Sequence, residues 1–188
     1  MHLDMDMFFA AVEIRDNPPI KNIPIPVGSM AMISTSDYIE RKYGVRSAMS
    51  CFIAMKISQQ LKLVEGHYSK YKEESYNMAI LEEYDINIDY GIRWSLSGFN
   101  LLLKNKKIYT KGEIIEVVNE IEKKIFDKTH LICSCDIAWN KTLAKICSDY
   151  NKPNGLFFLD YDPKIIEEFM SKLSKRKILF IGSKTESK

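Results

Sequence analysis

The sequence predicts a mixed α/β fold of the α+β type, and three observations carry that prediction. Apolar stretches of strand character alternate along the chain with stretches of helical periodicity. Pro and Gly fall between them as punctuation. Of the 188 residues, 46% are hydrophobic and 28% charged, the balance of a globular chain long enough to bury a sizeable core.

Met1 to Phe8 reads as a strand entering a helix over Phe9 to Asp16, which Asn17-Pro18-Pro19 ends. Ile25 to Ile33 is apolar and extended. Ser36 to Tyr43 reads as a helix, with Ser36 as its N-cap and Gly44 as its stop. Ala48 to Leu61 reads as helical, Leu61 to Val64 as a short strand, and Tyr68 to Tyr84 as a more polar helix. An apolar stretch, Ile86 to Leu103, precedes a lysine-rich run. Glu113 to Phe126 places Ile114, Ile115, Val117, Val118, Ile121 and Ile125 at helical spacing. His130 to Ala138 is β-rich, Thr142 to Asp149 helical, and Asn151-Lys152-Pro153-Asn154-Gly155 a turn. Leu156 to Leu159 reads as a strand and Pro163 to Leu173 as a helix.

The net charge of +2 neither demands nor excludes a nucleic-acid partner. Lys and Arg nevertheless crowd Lys104 to Lys107, Lys141 to Lys152 and Lys172 to Lys177. Cys51, Cys133, Cys135 and Cys147 form no C-x-x-C pair, so reduced, buried thiols are expected rather than a zinc site. No apolar run approaches the ~20 residues of a membrane span, and no signal-peptide pattern opens the chain. These features predict a cytosolic or nuclear protein that is not secreted.

Three segments carry candidate chemistry. Asp4 and Asp6 alternate with apolar residues, so a continuous strand would project both to one face. Burying such carboxylates requires a cation or a hydrogen-bond network; otherwise they are exposed edge groups. Phe8 and Phe9 follow at once, where a base or sugar could stack. Tyr38 and Arg41 lie three apart on a helix face, able to hold a triphosphate, with the Thr35 hydroxyl at the helix entry. Without a ligand the same pattern describes a solvated face. Lys152 in its Pro/Gly turn, after Asn140 to Lys145, is either a phosphate point charge or a surface lysine.

Together these segments resemble the Y family of DNA polymerases, the translesion enzymes, and most closely the DinB/kappa branch. The likeness is carried by Asp4-Met5-Asp6 with Phe8 to Asn17, Val27 to Met30, Ser34 to Arg46 and Leu143 to Gly155. It implies a palm sheet with packed helices over 1–26 and 65–179, and a small fingers subdomain over about 27–64. Residues 180–188 resemble the start of a thumb, with the rest of the thumb and the little finger missing. The implied substrates are a deoxynucleoside triphosphate and primer-template DNA, the latter bound weakly without those two domains. Protein partners are not implied. Mg²⁺ is the implied cofactor. Asp4 would ligate both catalytic ions, and the Met5 carbonyl the nucleotide-bound one. Phe9 would be the steric gate against a ribose 2′-hydroxyl, with Phe8 beside it. Ser34 would lie near the nascent base pair, and Thr35, Tyr38, Arg41 and Lys152 would grip the triphosphate. The compartment would be the nucleus in a eukaryote and the cytoplasm otherwise.

One family feature is missing. The second acidic motif reads Ser-Leu-Asp-Glu-Ala-Tyr, and its best counterpart here is Ser95-Leu96-Ser97-Gly98-Phe99-Asn100. Ser97 and Gly98 stand where the second and third metal carboxylates belong. Asp89 is an alternative carboxylate only in an altered register. Asp136 and Trp139 replace a small residue and a proline, and Ser50-Cys51 replaces Pro-Gly. The expectation is a polymerase fragment with crippled catalysis. The alternatives are a non-catalytic nucleotide- or DNA-binding remnant, and an active polymerase whose Ile86 to Leu103 segment reflects a wrong exon boundary.

Overall fold

A computed structural model describes residues 1–77, 86–89, 98–103, 110–148 and 150–174, with 86–89 and 98–103 described by backbone alone. In chain order the elements are β1 (His2–Met5), α1 (Phe8–Asp16), a 3-10 turn (Pro18–Ile20), β2 (Pro26–Gly28), β3 (Ile33–Ser36) and α2 (Tyr38–Lys42). Then come α3 (Cys51–Ile57), β4 (Val64–Glu65), α4 (Tyr68–Asn77), β5 (Ile86–Asp89) and β6 (Gly98–Leu103). The last are α5 (Lys111–Thr129), β7 (Cys133–Ile137), α6 (Lys141–Cys147), β8 (Leu156–Phe158) and α7 (Pro163–Ser171). The mixed α/β fold read from the sequence is the fold observed.

The chain divides into two compact units. The first comprises the described residues of Met1–Asp4, Leu81–Glu122 and Ile132–Lys188. Its five-stranded sheet runs β5-β6-β1-β7-β8. β1 pairs antiparallel with β6, placing Asp4 opposite Gly98, and β7 pairs parallel with β8. Alternation along β8 separates two cores. Leu156 and Phe158 join Cys135, Ile137, Met1 and the α5 residues Ile114 and Val118. Phe157 and Leu159 join Ala138, Leu143, Ala144 and Cys147, with Ile166 and Phe169 of α7. Helix α5 begins two residues before the predicted start because Thr110 and Glu113 form a reciprocal cap: Glu113 N donates to Thr110 Oγ1 at 3.3 Å and Thr110 N to Glu113 Oε2 at 2.8 Å.

The second unit comprises the described residues of Met5–Ile80 and Lys123–Leu131. Its sheet runs β3-β2-β4, with β2 antiparallel to β3 and parallel to β4. Ile33, Val45, Cys51, Ala54 and Leu61 form its core, with Met49 and Leu63 packed against them.

Three local expectations are corrected here. Ser36 is the last residue of β3, and Asp37 caps α2 instead, its Oδ1 accepting Glu40 N at 2.7 Å. The extended stretch from Ile25 breaks at a turn closed by Ser29 N to Met32 O at 3.0 Å. The helix expected from Ala48 starts only at Cys51. Ala48 and Met49 instead bond to Ile33, through Ala48 N to Ile33 O at 2.8 Å and Ile33 N to Met49 O at 2.9 Å, so their backbone is committed to β3.

Candidate functional site

The candidate residues fall into two groups, one in each unit. In the first unit, Asp4 sits on β1, and its carboxylate is ion-paired with the Lys152 ammonium. The Lys145 Nζ stands 3.9 Å from the same carboxylate oxygen and 3.2 Å from His2 Nε2. An ammonium has no acceptor, so His2 Nε2 is the acceptor of that bond. Both lysines are held by local structure. Asn140 caps α6 by accepting Leu143 N at 2.8 Å, which presents Lys145 from the second turn. Lys152 stands in a turn where Asn151 Nδ2 donates to Leu156 O at 2.7 Å. A Cβ on Gly155 would lie 1.7 Å from the Asn151 carbonyl oxygen, so only glycine closes this turn.

Gly98, the first residue of β6, faces Asp4 across the ladder, while Ser97 lies outside the described residues. Asp89 ends β5 opposite Asn100, which itself pairs with His2. Asp136 is buried on β7, opposite Phe157. Burial, with a smaller contribution from Asp136, pushes the Cys147 thiol up to about 12, so Cys147 is an inert thiol at neutral pH.

In the second unit, Met5 ends β1, and Met7 takes a left-handed conformation, φ 40° and ψ 45°, immediately before α1. This reversal of the chain costs a non-glycine residue about 1–2 kcal/mol and delivers Phe8 and Phe9 at the start of the helix. It also ends the strand before Asp6, so Asp4 and Asp6 do not share a strand face as the alternation suggested. Asp6 is instead fully buried and accepts the Tyr38 hydroxyl at 2.8 Å. The Arg41 guanidinium lies 4.8 Å over the Tyr38 ring and donates to the Ser36 carbonyl at 3.2 Å, confirming the shared helix face. Thr35 lies on β3, two residues before the α2 cap.

The aromatic residues build a cluster that the sequence reading left incomplete. Phe9 stacks on Tyr71 with ring centroids 4.3 Å apart and planes 13° from parallel. Phe8 meets both rings, at 5.6 and 6.4 Å. Tyr68 meets Phe9 edge-on at 5.7 Å, and its hydroxyl lies 2.7 Å from Ser34 Oγ. Tyr71 is fully buried and donates its hydroxyl to Glu13 at 2.6 Å. Burial opposes ionisation of Glu13, but the Tyr71 hydroxyl, His67 and Lys70 outweigh it and hold the carboxyl below its ordinary range. The pair Tyr68 and Tyr71, three apart on a polar helix, was the available signal for this cluster.

Among the described residues, no group of three or more His, Cys, Asp or Glu side chains is arranged to hold a metal ion. Among the described residues, the neighbours of the Asp4 carboxylate are two ammonium groups, with His2 beside Lys145, which offers fewer carboxylates than a pair of divalent cations needs.

Comparison with known proteins places this geometry. Residues 3–149 match the family model described as the impB/mucB/samB family. DNA polymerase kappa of Arabidopsis thaliana is 40% identical over 190 residues, covering 99% of this chain and 27% of that protein. DNA polymerase IV of Shigella flexneri is 38% identical over 193 residues, covering 100% of this chain and 53% of that protein. The chain thus spans about half, or less, of the curated relatives it matches. Among solved structures, DinB from Sulfolobus solfataricus aligns with a TM-score of 0.85 at 30% identity, over 99% of this chain and 55% of that one. An insertion ternary complex of Dbh DNA polymerase aligns with a TM-score of 0.84 at 30% identity, over 97% of this chain and 54% of that one. The chain belongs to the impB/mucB/samB family, with the palm-and-fingers fold of the Y-family, DinB/kappa-type translesion DNA polymerases.

Proposed function

We propose that this chain binds a deoxynucleoside triphosphate and primer-template DNA as a palm-and-fingers polymerase portion, and that its own nucleotidyl transfer is impaired. Residues 1–26 and 65–179 act as palm and 27–64 as fingers; the thumb-like segment 180–188 lies outside the described residues. Tyr38, Arg41, Thr35 and Lys152 grip the triphosphate by charge-assisted hydrogen bonds. Phe9, with Phe8 beside it, faces the sugar and excludes a ribose 2′-hydroxyl. Ser34 lies at the nascent base pair. Asp4, with the Met5 carbonyl, is the remaining ligand for Mg²⁺ arriving on the phosphates; bound there, the ion would neutralise charge developing on the transferred phosphate. The work is damage bypass and repair, in the nucleus of a eukaryote or the cytoplasm otherwise.

The single observation supporting impairment is the β1–β6 register, in which Asp4 stands opposite Gly98. Glycine offers only backbone where a carboxylate would help offset two cations and a triphosphate. Loss of several kcal/mol of transition-state stabilisation slows the reaction on the order of a thousandfold or more. Primer extension with Mg²⁺ and with Mn²⁺, alongside binding of a fluorescent deoxynucleotide, tests this. The expected result is binding that Arg41→Ala weakens, with little or no extension. Brisk extension abolished by Asp4→Ala would overturn the impairment, and absence of any nucleotide binding would overturn the whole reading.

A further inference from the structure

Phe9, Glu13 and Asp16 fall at positions i, i+4 and i+7 of α1, so they share one face of that helix. Tyr71, from α4, is held against this face at two points. Its ring stacks on Phe9 with centroids 4.3 Å apart, and its hydroxyl donates to Glu13 Oε1 at 2.6 Å. About 6 Å of helix rise separates the two supports, a span that one tyrosine side chain bridges. Pinned by ring and hydroxyl together, the fully buried Tyr71 has little freedom to swing or to slide along α1.

Glu13 is itself firmly held. Its side chain is only 8% exposed, and besides the Tyr71 hydroxyl it meets His67 Nδ1 at 3.1 Å and the Lys70 ammonium at 3.2 Å. Lys70 is in turn tied to Asp16 at 2.8 Å, one helical turn further along α1. These partners keep Glu13 ionised, so the bond from Tyr71 is charge-assisted and stronger than one to a neutral acceptor. Phe9 is half-buried, with Tyr71 as its stacked backing. Excluding a single hydroxyl by contact requires that ring to stand still, and a displacement of about 1 Å is on the scale that undoes such positioning.

We propose that Glu13 is a positioning residue for sugar selectivity: by holding the Tyr71 hydroxyl it fixes the ring on which Phe9 rests, and so sharpens the preference for deoxyribose over ribose. The inference rests on the reading of Phe9 as the residue facing the sugar. Glu13 itself touches no nucleotide; it acts through Tyr71 on Phe9.

The test is isothermal titration of the chain with dGTP and with GTP in Mg²⁺, read as the ratio of the two dissociation constants. An unfolded fraction weakens both affinities alike, so the ratio does not move with stability. Tyr71→Phe keeps the ring and removes only the tethered hydroxyl; it is expected to narrow the ratio about threefold, and Glu13→Ala by a similar factor. Glu13→Gln retains an acceptor for the hydroxyl and should narrow it by less than about twofold. Because both losses break one contact, the Glu13→Ala, Tyr71→Phe double variant should narrow the ratio no further than the larger single effect. A ratio unchanged in Tyr71→Phe, or narrowed multiplicatively in the double variant, overturns the proposal. If Glu13→Ala gives no cooperative melt, Tyr71→Phe alone decides. Phe9→Ala separates the underlying reading: a ratio it leaves unchanged overturns the role of Phe9 at the sugar and this proposal with it. A ratio that Phe9→Ala narrows and Tyr71→Phe does not overturns the positioning role alone.

Discussion

Glu40 makes folding sensitive to pH. Its side chain on α2 is fully buried, and neither carboxyl oxygen has a hydrogen-bond partner. Burial, reinforced by the neighbouring Asp37 carboxylate, pushes its carboxyl from 4.5 up to about 8. The folded chain therefore holds a proton that the unfolded chain releases. Because the folded value is the higher one, Glu40's contribution to stability is fully present below about pH 4.5 and falls away as pH rises toward 8. At about 1.4 kcal/mol per pH unit, the loss between pH 5 and pH 8 has an upper limit of about 3–4 kcal/mol. For a chain of this length that corresponds to roughly 10 °C in melting temperature. Thermal melts of the chain and of Glu40→Gln at pH 5 and pH 8 isolate the effect, because the neutral amide cannot titrate. The difference in melting temperature between the two proteins should shift in favour of Glu40→Gln as pH rises, whatever its sign at pH 5. Parallel pH profiles would refute a buried, protonated Glu40.

Other perturbations have outcomes set by the same kind of accounting. Glu13→Ala leaves the buried Tyr71 hydroxyl without its acceptor, while Lys70 keeps its ion pair with Asp16, and should cost about 2 kcal/mol in urea unfolding. Since Glu13 is held below its ordinary range, its contribution is present above about pH 4.5 and is lost on acidification, so Glu13→Gln should flatten the acid limb of stability. Phe9→Ala removes the ring stacked on Tyr71 and, on the proposed reading, should narrow the preference for dGTP over GTP in binding at least severalfold. All four cysteines are buried, and burial pushes Cys135 up to about 12; a thiol reagent at pH 8 should leave the native chain unmodified and label it fully in urea.

Much of this architecture was legible because its signals are local. The apolar spacing of Ile114, Val118, Ile121 and Ile125 defines α5, and Pro163 marks the start of α7. The helical spacing of Tyr38 and Arg41 correctly places them on one face. What was not legible depends on distant partners. Nothing near Ala48 signals that its backbone bonds to Ile33 rather than continuing into a helix. Period-two alternation pointed Asp6 to the face of Asp4, but the left-handed Met7 ends that pattern and leaves Asp6 to Tyr38. The pairing of Lys152 with Asp4 joins residues 148 apart in sequence and follows only from the folded sheet and turn.

On the proposed reading, this chain lacks the carboxylates that nucleotidyl transfer needs beside Asp4. Primer extension by the chain and by a Ser97→Asp, Gly98→Glu double variant tests it most directly, with equal DNA binding verified for both. The account predicts that the double variant extends the primer at least about a hundredfold faster, and that Asp4→Ala abolishes the gain. Extension by the unaltered chain at the double variant's rate would contradict it.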